Sequence, residues 1–126
     1  MERKILLIDD EEIVASTLKR NLEFDGKFNV FIESRAAEAV KTACEIKPDV
    51  ILLDLVMPQL NGYQIALQLK EIESMKNVPI IFLTASVGLN ENGNSPEIDS
   101  RDYVVLNKPI SGEQLIHAIE AELNKN

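Results

Sequence analysis

Val50-Ile51-Leu52-Leu53-Asp54-Leu55-Val56-Met57-Pro58 is the stretch that decides the fold of this chain. Its opening run of large apolar residues shows no polar alternation and is strand length, which is how a parallel strand covered on both faces reads. Asp54 closes the run, and Pro58 with Asn61-Gly62 marks a loop. The pattern recurs three times. Lys4-Ile5-Leu6-Leu7-Ile8 ends at Asp9-Asp10, Ile80-Ile81-Phe82-Leu83 ends at Thr84, and Tyr103-Val104-Val105-Leu106-Asn107 ends at Lys108-Pro109. With these strands side by side, three carboxylates, a hydroxyl and an ammonium converge on one edge of a sheet.

The intervening segments carry helical spacing. Val14, Leu18 and Leu22 recur at i+4 between Glu11 and Phe24, with acids in the first turn, and Gly26 follows. Phe28 to Glu33 reads as a further strand. Ser34 is placed to cap a helix running through Ile46, where Ala39, Ala43 and Ile46 share a face and Pro48 is the stop. Tyr63 to Ile72 repeats the spacing through Ile65, Leu69 and Ile72, and Pro79 opens the next strand. Ser111 and Gln114 fit a capping box before a last helix with Leu115, Ile116, Ile119 and Leu123 as its stripe. Alternating strands and helices predict a three-layer α/β domain with a parallel sheet and right-handed crossovers, covering residues 1–126 as a single unit. In such sheets ligands collect at the carboxyl ends of the strands, where the polar residues named above fall.

Composition narrows the function. A formal charge of −8, from 13 basic and 21 acidic residues, and an isoelectric point near 4.6 argue against direct nucleic-acid binding, which needs clustered Lys and Arg. The longest apolar runs are strand length and no targeting signal is legible, so a soluble, cytoplasmic protein without membrane insertion is expected. The lone Cys44 lies beside Val40 and Ala43 and reads as a small packed residue. His117 falls off the apolar stripe of its helix and reads as an ordinary surface histidine.

Asp9, Asp10 and Asp54 brought together would repel one another unless a cation intervened. Mg²⁺ suits them, because it takes hard oxygen ligands and is usually held by one or two carboxylates together with a phosphate. An aspartate is also a nucleophile toward phosphorus. Transfer to it requires neutralisation of the phosphoryl oxygens, which the Lys108 ammonium and the Thr84 hydroxyl are placed to supply. Taken singly, Asp-Asp is a helix cap, Lys-Pro a turn and Thr84 a strand-end residue. Their occurrence in order, each at the end of a different strand, points to a site.

The motifs Ile8-Asp9-Asp10-Glu11, Leu53-Asp54-Leu55-Val56-Met57-Pro58 with Asn61-Gly62, Leu83-Thr84-Ala85 and Lys108-Pro109 resemble those of the receiver domains of two-component response regulators, over essentially the whole chain. The resemblance implies a five-stranded doubly wound, flavodoxin-like sheet of order 2-1-3-4-5. It implies Asp54 as phosphoacceptor, Asp10 as a direct Mg²⁺ ligand, Asp9 as an outer-shell or additional ligand, and the Val56 carbonyl as another. It further implies Thr84 as the switch hydroxyl, Lys108 as the phosphoryl-binding cation, and a sensor histidine kinase or histidine phosphotransfer protein as donor. Members are not enzymes beyond autocatalytic phosphotransfer and slow self-dephosphorylation.

Two positions depart from the family pattern. Receivers commonly carry Tyr or Phe three residues before the lysine, where this chain has Val105; Tyr103, on the same side of the strand, is the candidate substitute. Ser86 to Asp102, where the family has its fourth helix, contains two Gly, three Asn and a Pro with three large apolar residues, so that helix is expected to be degenerate. With no output domain after the last helix, a receiver that signals to an unknown downstream protein by contact is expected. The alternative is a receiver-like scaffold that binds proteins without phosphorylation. An aspartyl phosphatase would need a second acid where Val56 stands, and a flavin carrier would not place Asp9-Asp10-Glu11-Glu12 against a phosphate.

Overall fold

A computed structural model of the chain describes residues 2–24, 26–55, 62–84, 103–108 and 110–125. The strands are β1 (Arg3–Ile8), β2 (Phe28–Glu33), β3 (Val50–Asp54), β4 (Ile80–Thr84) and β5 (Val104–Asn107). The helices are α1 (Glu12–Glu23), α2 (Ala39–Ile46), α3 (Gly62–Lys70) and α4 (Gly112–Leu123). All strand pairs are parallel, as the unbroken apolar runs predict, and their order β2-β1-β3-β4-β5 is the one the family resemblance implies. The expectation for Ser86 to Asp102 falls outside the described residues.

The apolar runs lack alternation because both faces of the sheet are covered. Leu6, Ile8, Ile51, Leu53, Ile80 and Phe82 pack with Ala39 and Ala43 of α2 and Ile65, Ala66 and Leu69 of α3. Ile5, Leu7, Val50, Leu52, Ile81 and Leu83 pack on the other side with Ala15, Leu18 and Leu22 of α1 and Leu115 and Ile119 of α4. Each strand therefore contributes to two cores at once. Truncating Leu52, fully buried at the centre of the sheet, should cost about 2–5 kcal/mol.

Local signals set the helix ends, with two differences from the sequence reading. The capping box at α4 forms in both directions: the Ser111 side chain accepts from the Gln114 N–H at 3.1 Å, and the Gln114 side chain accepts from the Ser111 N–H at 3.3 Å. Ser34, by contrast, caps nothing. The segment stays extended to Arg35, and a 3-10 turn over Ala36–Glu38 leads into α2. The cause is Glu33, a buried carboxylate that accepts from the Arg35 N–H at 2.9 Å and from the Thr42 hydroxyl at 2.6 Å. The second difference is at α3, which ends at Lys70 instead of Ile72. There the Lys70 ammonium turns onto the carbonyls of Lys76 and Val78, at 3.2 and 3.4 Å.

Burial alone would push the Glu33 carboxyl up, but the hydrogen bonds from Thr42 and Arg35 and the Arg35 charge hold it below its ordinary value. A depressed native value means that the stability it contributes is complete above the unfolded pKa, about 4.3, and is lost as pH falls through the native one. Glu33→Gln should therefore melt with a shallower loss of stability on the acid side than the unaltered chain. Superimposable acid limbs would show that Glu33 carries none of the proton uptake.

Candidate phosphoacceptor and metal site

Strand register brings the polar residues to one edge. Ile8 lies level with Leu53, so Asp9 and Asp54 follow at the same height on adjacent strands; Asp54 is opposite Leu83, and Thr84 is opposite Asn107. The backbone ties these ends together: Leu55 N–H donates to the Leu83 carbonyl at 2.9 Å and Lys108 N–H to the Thr84 carbonyl at 2.7 Å. Asp9, Asp54 and Thr84 are buried, at 0%, 4% and 1% exposure. Buried carboxylates side by side demand positive charge.

Lys108 supplies part of it. Its ammonium lies 2.7 Å from Asp9 Oδ2, 3.5 Å from Asp54 Oδ2 and 3.7 Å from Glu11 Oε1. Burial would push this ammonium down, but the hydrogen bond to Asp9 and the charges of Asp54, Asp9 and Glu11 outweigh it and hold the lysine above its ordinary value. Asp9 uses its other oxygen to accept from the Glu11 N–H at 2.9 Å, which fixes the turn after β1. Among the described residues one ammonium faces three carboxylates, an excess of negative charge.

Carboxylate oxygens of Asp9, Glu11 and Asp54 lie within 4.8 Å of one another. An octahedral Mg²⁺ with metal–oxygen distances of about 2.1 Å places its ligands roughly 3–4 Å apart. The donor set is all hard oxygen, so its chemistry and spacing fit that ion. Glu11 is the member that sequence reasoning did not single out; the acidic run Asp9 to Glu12 was legible, but not which of its side chains turn inward. Asp10 follows β1, half-buried, and does not belong to that close group. Val56 lies outside the described residues.

Gly62 opens α3 directly against the site. Its N–H donates to the Leu55 carbonyl at 2.9 Å, and a Cβ there would collide with the Asp54 carbonyl. Tyr103 immediately precedes β5 and places its ring edge-on against Phe82 at 5.0 Å and Tyr63 of α3 at 6.3 Å. Val105 packs on that same side of the sheet, partly buried. The candidate aromatic thus touches the helix that follows the Asp54 loop.

The response regulator receiver domain family matches residues 5–120. The chain belongs to that family. Among similar proteins, this receiver is 35% identical over 126 residues to the alkaline phosphatase synthesis transcriptional regulatory protein PhoP of Bacillus subtilis (strain 168), a match covering all of this chain and 50% of that protein. It therefore spans about half the length of that relative. A putative response regulator from Chloroflexus aurantiacus superposes with a TM-score of 0.82 at 22% identity, over 99% of this receiver and 100% of that chain. The receiver domain of a sensor histidine kinase from Pseudomonas aeruginosa, which has a magnesium ion coordinated in its active-site cleft, gives 0.83 at 24% identity over 99% and 100% of the two chains. At those identities the likeness carries the fold.

Proposed function

We propose that this receiver, residues 1–126 acting as one domain, accepts a phosphoryl group on Asp54 from a phosphohistidine of a sensor histidine kinase or histidine phosphotransfer protein. The observation that carries this reading is the buried Asp54 carboxylate set beside Asp9 and Glu11 and facing the Lys108 ammonium at 3.5 Å. A Mg²⁺ ion would be held by Asp9, Asp10 and Asp54 with the Val56 carbonyl, and Glu11 is placed to join them. When bound, that ion neutralises charge on the phosphoryl oxygens.

An Asp54 carboxylate oxygen attacks phosphorus in line, the phosphorus–nitrogen bond to the donor imidazole breaks, and its electron pair remains on that nitrogen. Lys108 and the Thr84 hydroxyl then donate to the oxygens of the new acyl phosphate. Water later attacks the same phosphorus and releases inorganic phosphate, restoring the carboxylate. Beyond this self-limited cycle the receiver catalyses nothing further, and it signals to a downstream protein by contact, without nucleic acid, in the cytoplasm. No described helix is long and apolar enough to cross a membrane. A groove of about 500 Å³ lined by Ile13, Val14, Leu18 and Ile110 together with Thr17, Asn21, Glu11 and Lys108 adjoins the site and supports docking of a protein donor there.

A ligand that binds only the native state adds about 2.7 kcal/mol at one hundred times its dissociation constant. The melting temperature should thus climb with Mg²⁺, and the climb should vanish in Asp9→Asn and in Asp10→Ala. Equal responses in the variants and the unaltered chain would place the ion elsewhere. Incubation with acetyl phosphate should add one phosphoryl mass in Mg²⁺ and none with a chelator; labelling that ignores the chelator contradicts the proposal.

A further inference from the structure

Among the described strands β2 is an edge of the sheet, and it carries a device that the phosphoryl chemistry does not use. Arg3 N–H donates to the Lys27 carbonyl and Asp9 N–H to the Glu33 carbonyl, both at 3.1 Å, and the β1–β2 register is unbroken between them. Backbone groups alternate sides along a strand, so residues 27, 29, 31 and 33 turn toward β1 while Phe28, Val30 and Ile32 present theirs to the open edge. Val30 is at its middle. Its carbonyl accepts from the Lys19 ammonium at 2.7 Å and its N–H donates to Glu23 Oε2 at 2.9 Å. The same Glu23 oxygen meets Lys19 Nζ at 2.9 Å, closing a triangle across the strand.

Lys19 and Glu23 stand one turn apart on α1, flanking the buried Leu18 and Leu22, so the helix that covers the sheet also overhangs its edge. The hydrogen bond from Val30, with that from Lys19, holds the Glu23 carboxyl below its ordinary value. An uncovered edge offers donors and acceptors to any strand that approaches, and charged side chains are one way proteins blunt it. A two-fold pairing of identical edges is self-complementary, so the partner such an edge meets most often in a pure solution is another copy.

We propose that the Lys19–Glu23 pair guards the β2 edge, keeping this receiver from pairing strand-to-strand with a second copy of itself. The test is Lys19→Ala/Glu23→Ala, compared by sedimentation velocity over a concentration series with the unaltered chain and with Met75→Ala, which is destabilised on the opposite face of the sheet. The double variant should self-associate with rising concentration, and its Val30 amide should exchange faster, while Met75→Ala does not self-associate. Adding Ile32→Pro, which removes an outward N–H without breaking the β1 ladder, should return it to the unaltered chain's distribution. A double variant that sediments like the unaltered chain, association equally strong in Met75→Ala, or association that survives Ile32→Pro would each overturn the proposal.

Discussion

Lys108→Met should lower stability in Mg²⁺-free buffer by about 3 kcal/mol, read as the shift of the urea midpoint at constant slope. The ammonium is only 14% exposed and faces Asp9 and Asp54 side chains at 0% and 5%. Removing it withdraws an ammonium from two buried carboxylates, which costs far more than loss of a surface pair. The matched control is Lys125→Met. That residue pairs with Glu122 at 2.7 Å but is 70% exposed, and its loss should cost less than about 1 kcal/mol. Mg²⁺ should recover part of the Lys108→Met deficit, because it brings positive charge to the same oxygens. A deficit as small as that of Lys125→Met would mean the site tolerates its own repulsion.

Gly62→Ala should be destabilising by at least about 1–3 kcal/mol, although the same change inside a helix ordinarily stabilises by nearly 1 kcal/mol. The sign reverses because the new methyl group meets backbone, the carbonyl of Asp54 and the Cα of Leu55, and not a side chain that can swing aside. Relief requires α3 to retreat from the β3 end, which carries Asp54 with it. The variant should therefore also accept phosphate from acetyl phosphate more slowly than the unaltered chain. Unchanged stability together with unchanged labelling would show that the Asp54 loop adjusts freely.

The strands were legible because two-sided burial leaves an unbroken apolar run, and the residue that ends each run is the one the sheet edge exposes to chemistry. Ser111 and Gln114 were legible because a capping box needs nothing beyond four consecutive residues of chain. Ser34 misled for the opposite reason. Its neighbour Glu33 engages Thr42, nine positions away, and that contact sets where the helix begins. Tertiary contact likewise set the end of α3, where Lys70 reaches carbonyls beyond its own helix. Glu11 could not be chosen over Asp10 or Glu12 from the run of acids alone, since only the turn fixed by Asp9 decides which carboxylate faces Asp54. The Lys19–Glu23 pair was not singled out in the sequence, because its grip on Val30 belongs to the packing of α1 over β2.

The central claim is that Asp54, held between Lys108 and the acidic cluster, is where phosphate is taken up. Its most direct test is intact-mass measurement after incubation with acetyl phosphate and Mg²⁺, with Asp54→Asn alongside. The unaltered chain should gain one phosphoryl mass that a neutral hydroxylamine rinse removes, as expected of an acyl phosphate, and Asp54→Asn should gain none. An equal, hydroxylamine-sensitive adduct on Asp54→Asn would contradict the account.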